Sequence, residues 1–333
     1  ADEVSPFICY TISAFSLMTN TILIIVYLYC PVKKMNSYRY FFLISAIQDI
    51  IFSVVFLLSF PRLISKNNVF VIISSGILNF EPIGYFLIII FCVSYFTSVL
   101  VVTNSFLYRY LQLCRMQLFQ RFSSSRAVVM CFVINAVLII YYSGAVYWIS
   151  FPDENLRYFV ESSIIMLETK FCGASFIGLS AKYTMSTTDL VLLAVLFLAL
   201  ATLAVINIFC AGKIGAFLRK AANRHNPLKH QRRMFTLLLL QAACPFIFMQ
   251  VPAFIAMFLV FAGIDSPQII TNSMDISFAL QPFLNPVIIV LFLREYRDFV
   301  LVKLKLKRPL TARNGLFTIS MKNNMQNGMP IVY

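Results

Sequence analysis

The stretch from Gln281 to Phe299, QPFLNPVIIVLFLREYRDF, runs from an apolar segment straight into charge. Pro282 and Pro286 each remove a backbone donor, and Asn285 between them places an amide where lipid offers no partner. The apolar run from Val287 to Leu293 stops at Arg294, as a helix does where it leaves a bilayer. The stretch therefore predicts a membrane span with a hinge and a nearby polar partner, followed by an amphipathic helix in the interface.

The whole chain supports a lipid environment. Of its 333 residues, 60% are hydrophobic and 12% charged, with 34 phenylalanines. A soluble domain carries about a quarter charged residues. Windows of about 20 apolar residues predict seven spans, near 7–30, 40–60, 83–108, 127–149, 187–211, 234–262 and 270–293. The segment Leu63–Asn79 is partly apolar, but Lys66, Asn67, Asn68 and Gly76 interrupt it, so it reads as an extracellular loop packed on the bundle. The fold class is an all-α membrane bundle of seven helices. A short interfacial helix is expected over 294–307 and a polar tail over 308–333.

Charge sets the predicted orientation. The segments 31–39, 109–126, 212–233 and 294–333 hold 22 of the 27 lysines and arginines but only Glu295 and Asp298 as acids. That face carries about +20, so it reads as cytoplasmic and suits anionic lipid and acidic partners rather than nucleic acid. The amino terminus is then outside. Of the eight cysteines, only Cys9 and Cys172 are placed to meet in an oxidising compartment, as a disulfide or as two free thiols.

Catalytic chemistry is missing. Both histidines, His225 and His230, lie in the third cytoplasmic segment, and no HExxH or glycine-rich phosphate loop occurs. The span acids Asp49, Asp189 and Asp275 stand in no GxGD setting. The chain reads as a non-enzyme. A transporter would show paired broken helices in its two halves, whereas the span prolines Pro245, Pro252, Pro282 and Pro286 all come late. A ligand-gated channel or carrier with seven spans is the alternative.

Three segments resemble one family. NSYRYFFLISAIQD (Asn36–Asp49), SFLYRY (Ser105–Tyr110) and REYR (Arg294–Arg297) are similar to the nematode serpentine chemoreceptors of the Str superfamily, in its Str or Srd class. The likeness runs from Phe7 to Lys307 and includes the two-proline sixth span before Asp265. It implies a G-protein-coupled receptor for environmental chemicals, placed in sensory cilia. The seventh span also looks like the NPxxY segment of rhodopsin-like receptors, with Ile289 in place of the tyrosine. Asn20, Asp49 and Ser98 stand at the levels of those receptors' inner polar residues. The resemblance thus implies a cluster of Asp49, Ser98 and Asn285, with Asn20 beside it. That cluster is either a packing network or, through Asp49 and Ser98, a sodium site; no other cofactor is expected.

The same architecture implies a ligand pocket in the outer halves of spans three, five, six and seven. Phe91, Tyr95, Gln250, Asn272 and Asp275 are its polar and aromatic candidates, and the ligand is small and mostly apolar. At the basic face Arg109, Tyr110, Arg115, Arg232 and Arg233 are the candidates for contact with a G protein. Arg109 also reads as a residue that snorkels to headgroups. Departures from rhodopsin-like receptors are plain. No cysteine stands near Gly84, and Tyr108 replaces the acid before Arg109.

Overall fold

The computed structural model describes residues 4–30, 39–66, 68–122, 125–152, 154–160, 162, 174–180, 186–222 and 228–303. Seven helical segments there are long and apolar enough to cross a membrane: Ser5–Tyr29, Tyr40–Ser59, Ile83–Cys114, Val128–Ser150, Thr187–Lys220, Arg233–Ala262 and Gln268–Phe292. The chain is a seven-helix membrane bundle. Spans one to five are carried by α1 (Val4–Tyr29), α2 (Arg39–Ser59), α3 (Ile83–Cys114), α5 (Ser125–Ser150) and α7 (Thr187–Ala222). Short helices α4 (Met116–Phe122) and α6 (Glu154–Val160) flank span four.

Span six is composite. Helix α8 (Leu228–Pro245) passes into a π-helical turn, Phe246–Gln250, and then into α9 (Val251–Ala262). The Val251 N–H reaches back five residues to the Phe246 carbonyl. The turn lies between Pro245 and Pro252, whose missing donors break the regular ladder on both sides. Span seven is α10 (Gln268–Phe292), followed by α11 (Arg294–Lys303). The interfacial helix expected over 294–307 is described as far as Lys303.

Helices α3 and α7 run well past the predicted lipid limits. Hydropathy marks where lipid ends, not where hydrogen bonding does, so Arg109 still lies inside α3. Span three is the central element, half buried in its most apolar window, while span four is only 11% buried and faces outward.

The loop expected over Leu63–Asn79 is instead a β-hairpin. Strand β1 (Pro61–Lys66) pairs antiparallel with β2 (Val69–Ser74), and β2 pairs with β3 (Phe176–Ser180) from the connection between spans four and five. Asn68, one of the residues that looked like interruptions, marks the turn. Asn68 sits at φ 63, a left-handed conformation its short polar side chain tolerates. Its amide donates to the Val260 carbonyl (3.2 Å), and Ser65 and Ser266 bond through both backbone and side chain. Gly263 ends α9 at φ 68, against Asn68, where a side chain would be strained. These bonds fasten the sheet across the end of spans six and seven.

Two apolar clusters fill the bundle. Toward the sheet, Phe52, Phe56, Phe91 and Phe278 stack in an aromatic knot, with ring centroids 5.1 Å apart for Phe52–Phe91 and 5.7 Å for Phe91–Phe278. At the opposite, basic end, Phe42, Phe106, Ile214, Leu237, Ile289 and Tyr296 pack together. The Tyr296 ring meets Phe42 edge-on at 6.5 Å and ties α11 to α2.

Candidate functional site

Three regions hold the candidate residues. The first is a cavity of about 160 Å³ beneath the sheet. Leu63 and Phe70 of the hairpin and Ile177 of β3 form its roof, while α3, α5, α7, α9 and α10 supply its walls. Phe91, Tyr95 and Gln250 line it. Gln250 is buried, stands at the end of the π-helical turn, and makes no side-chain hydrogen bond among the described residues. Its amide is the one carboxamide in a mostly apolar lining that also carries Ser150, Tyr95 and Tyr142. Phe96 stacks on Tyr142 at 4.2 Å and stiffens that wall.

Asn272 and Asp275 do not line this cavity. They face Arg62 on β1: the guanidinium donates to Asn272 Oδ1 at 3.3 Å and lies 3.7 Å from Asp275 Oδ2. Asp275 is fully buried, and neither of its carboxylate oxygens accepts a hydrogen bond among the described residues. Arg62 is thus the counter-charge that lets a carboxylate sit inside span seven. In the sequence Arg62 is one of the five lysines and arginines outside the basic face. Strand β1 brings it over Asp275, and nothing local in the sequence encodes that pairing.

The second region is the polar core of span seven. Asn285 Nδ2 donates to Asp49 Oδ2 at 2.6 Å and to Ser45 Oγ at 2.7 Å. Gln281 Nε2 faces Asp49 Oδ1 at 3.5 Å, and Gln241 Nε2 donates to Asn285 Oδ1 at 3.3 Å. Ser45 and Asp49 are one turn apart on α2, and Gln281 and Asn285 one turn apart on α10, so two side-chain rows meet face to face. Ser45, Gln241 and Gln281 were missed in the sequence, although the four-residue spacing was available.

Asn20 takes a different part. Pro286 has no N–H, which leaves the Pro282 carbonyl without its partner four residues on. Asn20 Nδ2 donates to that carbonyl at 2.9 Å and to Ser16 O at 3.0 Å. A side chain from span one thereby repairs the gap the proline opens in span seven.

Ser98 stays apart from Asp49. It donates to the Ser94 carbonyl of its own helix at 3.0 Å. Two amide N–H groups already point at the Asp49 carboxylate. The contacts among the described residues are therefore those of a hydrogen-bonded packing core, and Ser98 is not part of it.

The third region is the basic end. Arg109 Nη1 donates to Gln112 Oε1 at 3.1 Å. Arg109 borders a narrow cleft of about 10 Å³ with Leu113, Ile214, Met234, Phe235 and Leu238. The Tyr110 ring packs on Phe209 of span five at 5.9 Å, and its side chain hydrogen-bonds the exposed Arg115, raising that guanidinium's pKa. Arg233 is half-buried, whereas the side chain of Arg232 lies outside the described residues. Cys172 lies outside them too; the described cysteines, including buried Cys9, form no disulfide with one another.

Comparison with protein families decides the class. The family model for the serpentine type 7TM GPCR chemoreceptor Str matches residues 5–301. The chain belongs to the Str chemoreceptor family. This serpentine receptor is a multi-pass membrane protein of a receptor family, not of an enzyme family. A search of curated proteins finds no match.

Proposed function

We propose that this Str chemoreceptor binds a small, mostly apolar molecule in the sheet-roofed cavity and activates a heterotrimeric G protein at its basic face. The observation that carries the reading is the cavity itself: about 160 Å³, lined mostly by aromatic and aliphatic side chains, with Gln250 as its one unengaged amide among the described residues. Such a site selects a neutral ligand with one or two hydrogen-bonding groups. A charged amine finds no carboxylate there, because Asp275 is held by Arg62.

The basic end then faces the cytoplasm, in keeping with the excess of lysine and arginine, and the amino terminus lies outside. Anionic headgroups attract much of that charge, and α11 lies in the interface with Lys303 near them. The plasma membrane, in a sensory cilium, is the proposed location. Signal transfer runs through span six. Pro245, the π-helical turn and Pro252 loosen its backbone between the cavity and the cleft, so its inner half can swing away from Arg109 and admit a G-protein helix.

Cells expressing the receptor, screened against neutral volatile compounds with a G-protein readout, test the reading. Leu200→Trp, which fills the cavity from span five, should weaken the response to an active compound at least ~10-fold. An unchanged potency would remove the ligand from this cavity.

A further inference from the structure

A second cavity, of about 260 Å³, lies lower in the bundle between α3, α7 and the π-helical turn of span six. Its origin is local. Pro245 and the wide turn after it displace span six, and Ala204 and Ala243 present no bulk to fill the gap. Nothing charged lines it.

Two features set it apart from a packing defect. Asn207 of span five lines it, and its Oδ1 is buried without a hydrogen-bond partner among the described residues. A carbonyl left in that state at membrane depth is costly, and a donor brought by a ligand would relieve it. The second feature is the rim. Ile208 is 72% exposed and Phe246 48% exposed, and in a membrane span such surfaces face lipid. Entry is therefore lateral, from the bilayer.

We propose that this groove is a binding site for a neutral, membrane-dissolved amphiphile that carries a hydroxyl. Rotation of the Asn207 amide about its last side-chain bond turns Oδ1 to the hydroxyl, which donates to it, and the hydrocarbon lies between α3 and the π-helical turn. Gln250 lines this groove and the roofed cavity alike, so an amphiphile here touches the residue that faces the other site. The proposal concerns binding alone and stands whether or not the receptor reading of the roofed cavity holds.

The test uses the full chain in phosphatidylcholine nanodiscs and a long-chain fatty alcohol bearing a diazirine. Labelling is read by mass spectrometry on the peptide that contains Asn207. The matched diazirine alkane, which lacks the hydroxyl, should label that peptide ~10-fold less, and Asn207→Leu should reduce alcohol labelling by about the same factor. Asn207→Ser, which keeps an acceptor, should recover part of it. Should Asn207→Leu fail to fold by thermal unfolding, Ala243→Phe blocks the groove without touching the amide and should also abolish labelling. Equal labelling by alkane and alcohol would overturn the proposal, since the groove would then hold ordinary acyl tails. Equal labelling by a short diazirine alcohol delivered from water would overturn it as well, because the ligand would not come from the membrane.

Discussion

The two ends of this receptor are built on opposite plans. Under the sheet, the helices stand apart around about 160 Å³ of apolar space, and the polar groups beside it, Arg62, Asn272 and Asp275, are held to one another. At the basic end the helices close on Leu237, Ile289 and Tyr296, and the cleft at Arg109 shrinks to about 10 Å³. In the proposed function, the first end is pre-formed to receive a ligand while the other must open. The Asp49–Asn285 core and the π-helical turn lie between them, where interhelical hydrogen bonds rather than apolar burial hold the spans, since lipid is as apolar as leucine. The sheet-roofed end thus owes its shape to connections that fold into a sheet, while the basic end owes its shape to helix packing alone.

Substitutions at the two ends should therefore fail in different ways. The largest effect is expected at Arg109. Arg109→Gln should abolish G-protein activation while surface expression, measured by antibody labelling of intact cells, stays normal; retained signalling would leave Arg109 as a residue that only snorkels.

Next comes Arg62. Arg62→Leu leaves Asp275 buried without its counter-charge and should cost about 3–5 kcal/mol in thermal unfolding. Adding Asp275→Asn should return most of that loss. If the double variant is as unstable as the single one, the pair is not what holds strand β1 on span seven.

A smaller shift is expected in the cavity. Gln250→Leu should change the potency of an active compound about 10-fold and leave the maximal response intact, as the loss of one hydrogen bond does. A fall in maximal response instead would assign Gln250 to the movement of span six.

Asn20→Leu should show the smallest effect, about 0.6–1.7 kcal/mol of stability, because it withdraws the donor from the Pro282 carbonyl. The same cost in a chain carrying Pro286→Ala, which regains the backbone donor, would contradict the repair described for Asn20.

Much of this plan could be read from the residues. Each span must satisfy its own backbone in lipid, so runs such as Val287–Leu293 and the basic residues around them announce the helices and their ends. Asn285 between two prolines pointed to a polar partner on another span, and Asp49 is in contact with it. The sheet was harder. Val69 pairs with Ser180, a contact between two separate connections, and a polar residue such as Asn68 looks the same in the sequence whether strands or a loop flank it. Rotation about a helix axis was not readable either. Ser98 has the right depth for Asp49 but turns to its own backbone, and Asp275 has the depth of a ligand contact but turns to Arg62. Depth along a span follows from counting residues. Facing depends on neighbours that only the assembled bundle supplies.

In the proposed function, a ligand held beneath the sheet opens the basic end to a G protein. The most direct test is nucleotide exchange on a purified G protein by the receptor in nanodiscs, with the most potent compound from the screen added and a planar bilayer of the same receptor held under voltage clamp. The account predicts compound-dependent exchange that Leu200→Trp weakens and Arg109→Gln abolishes, with no current. A compound-dependent current without exchange would contradict it and make the chain a channel.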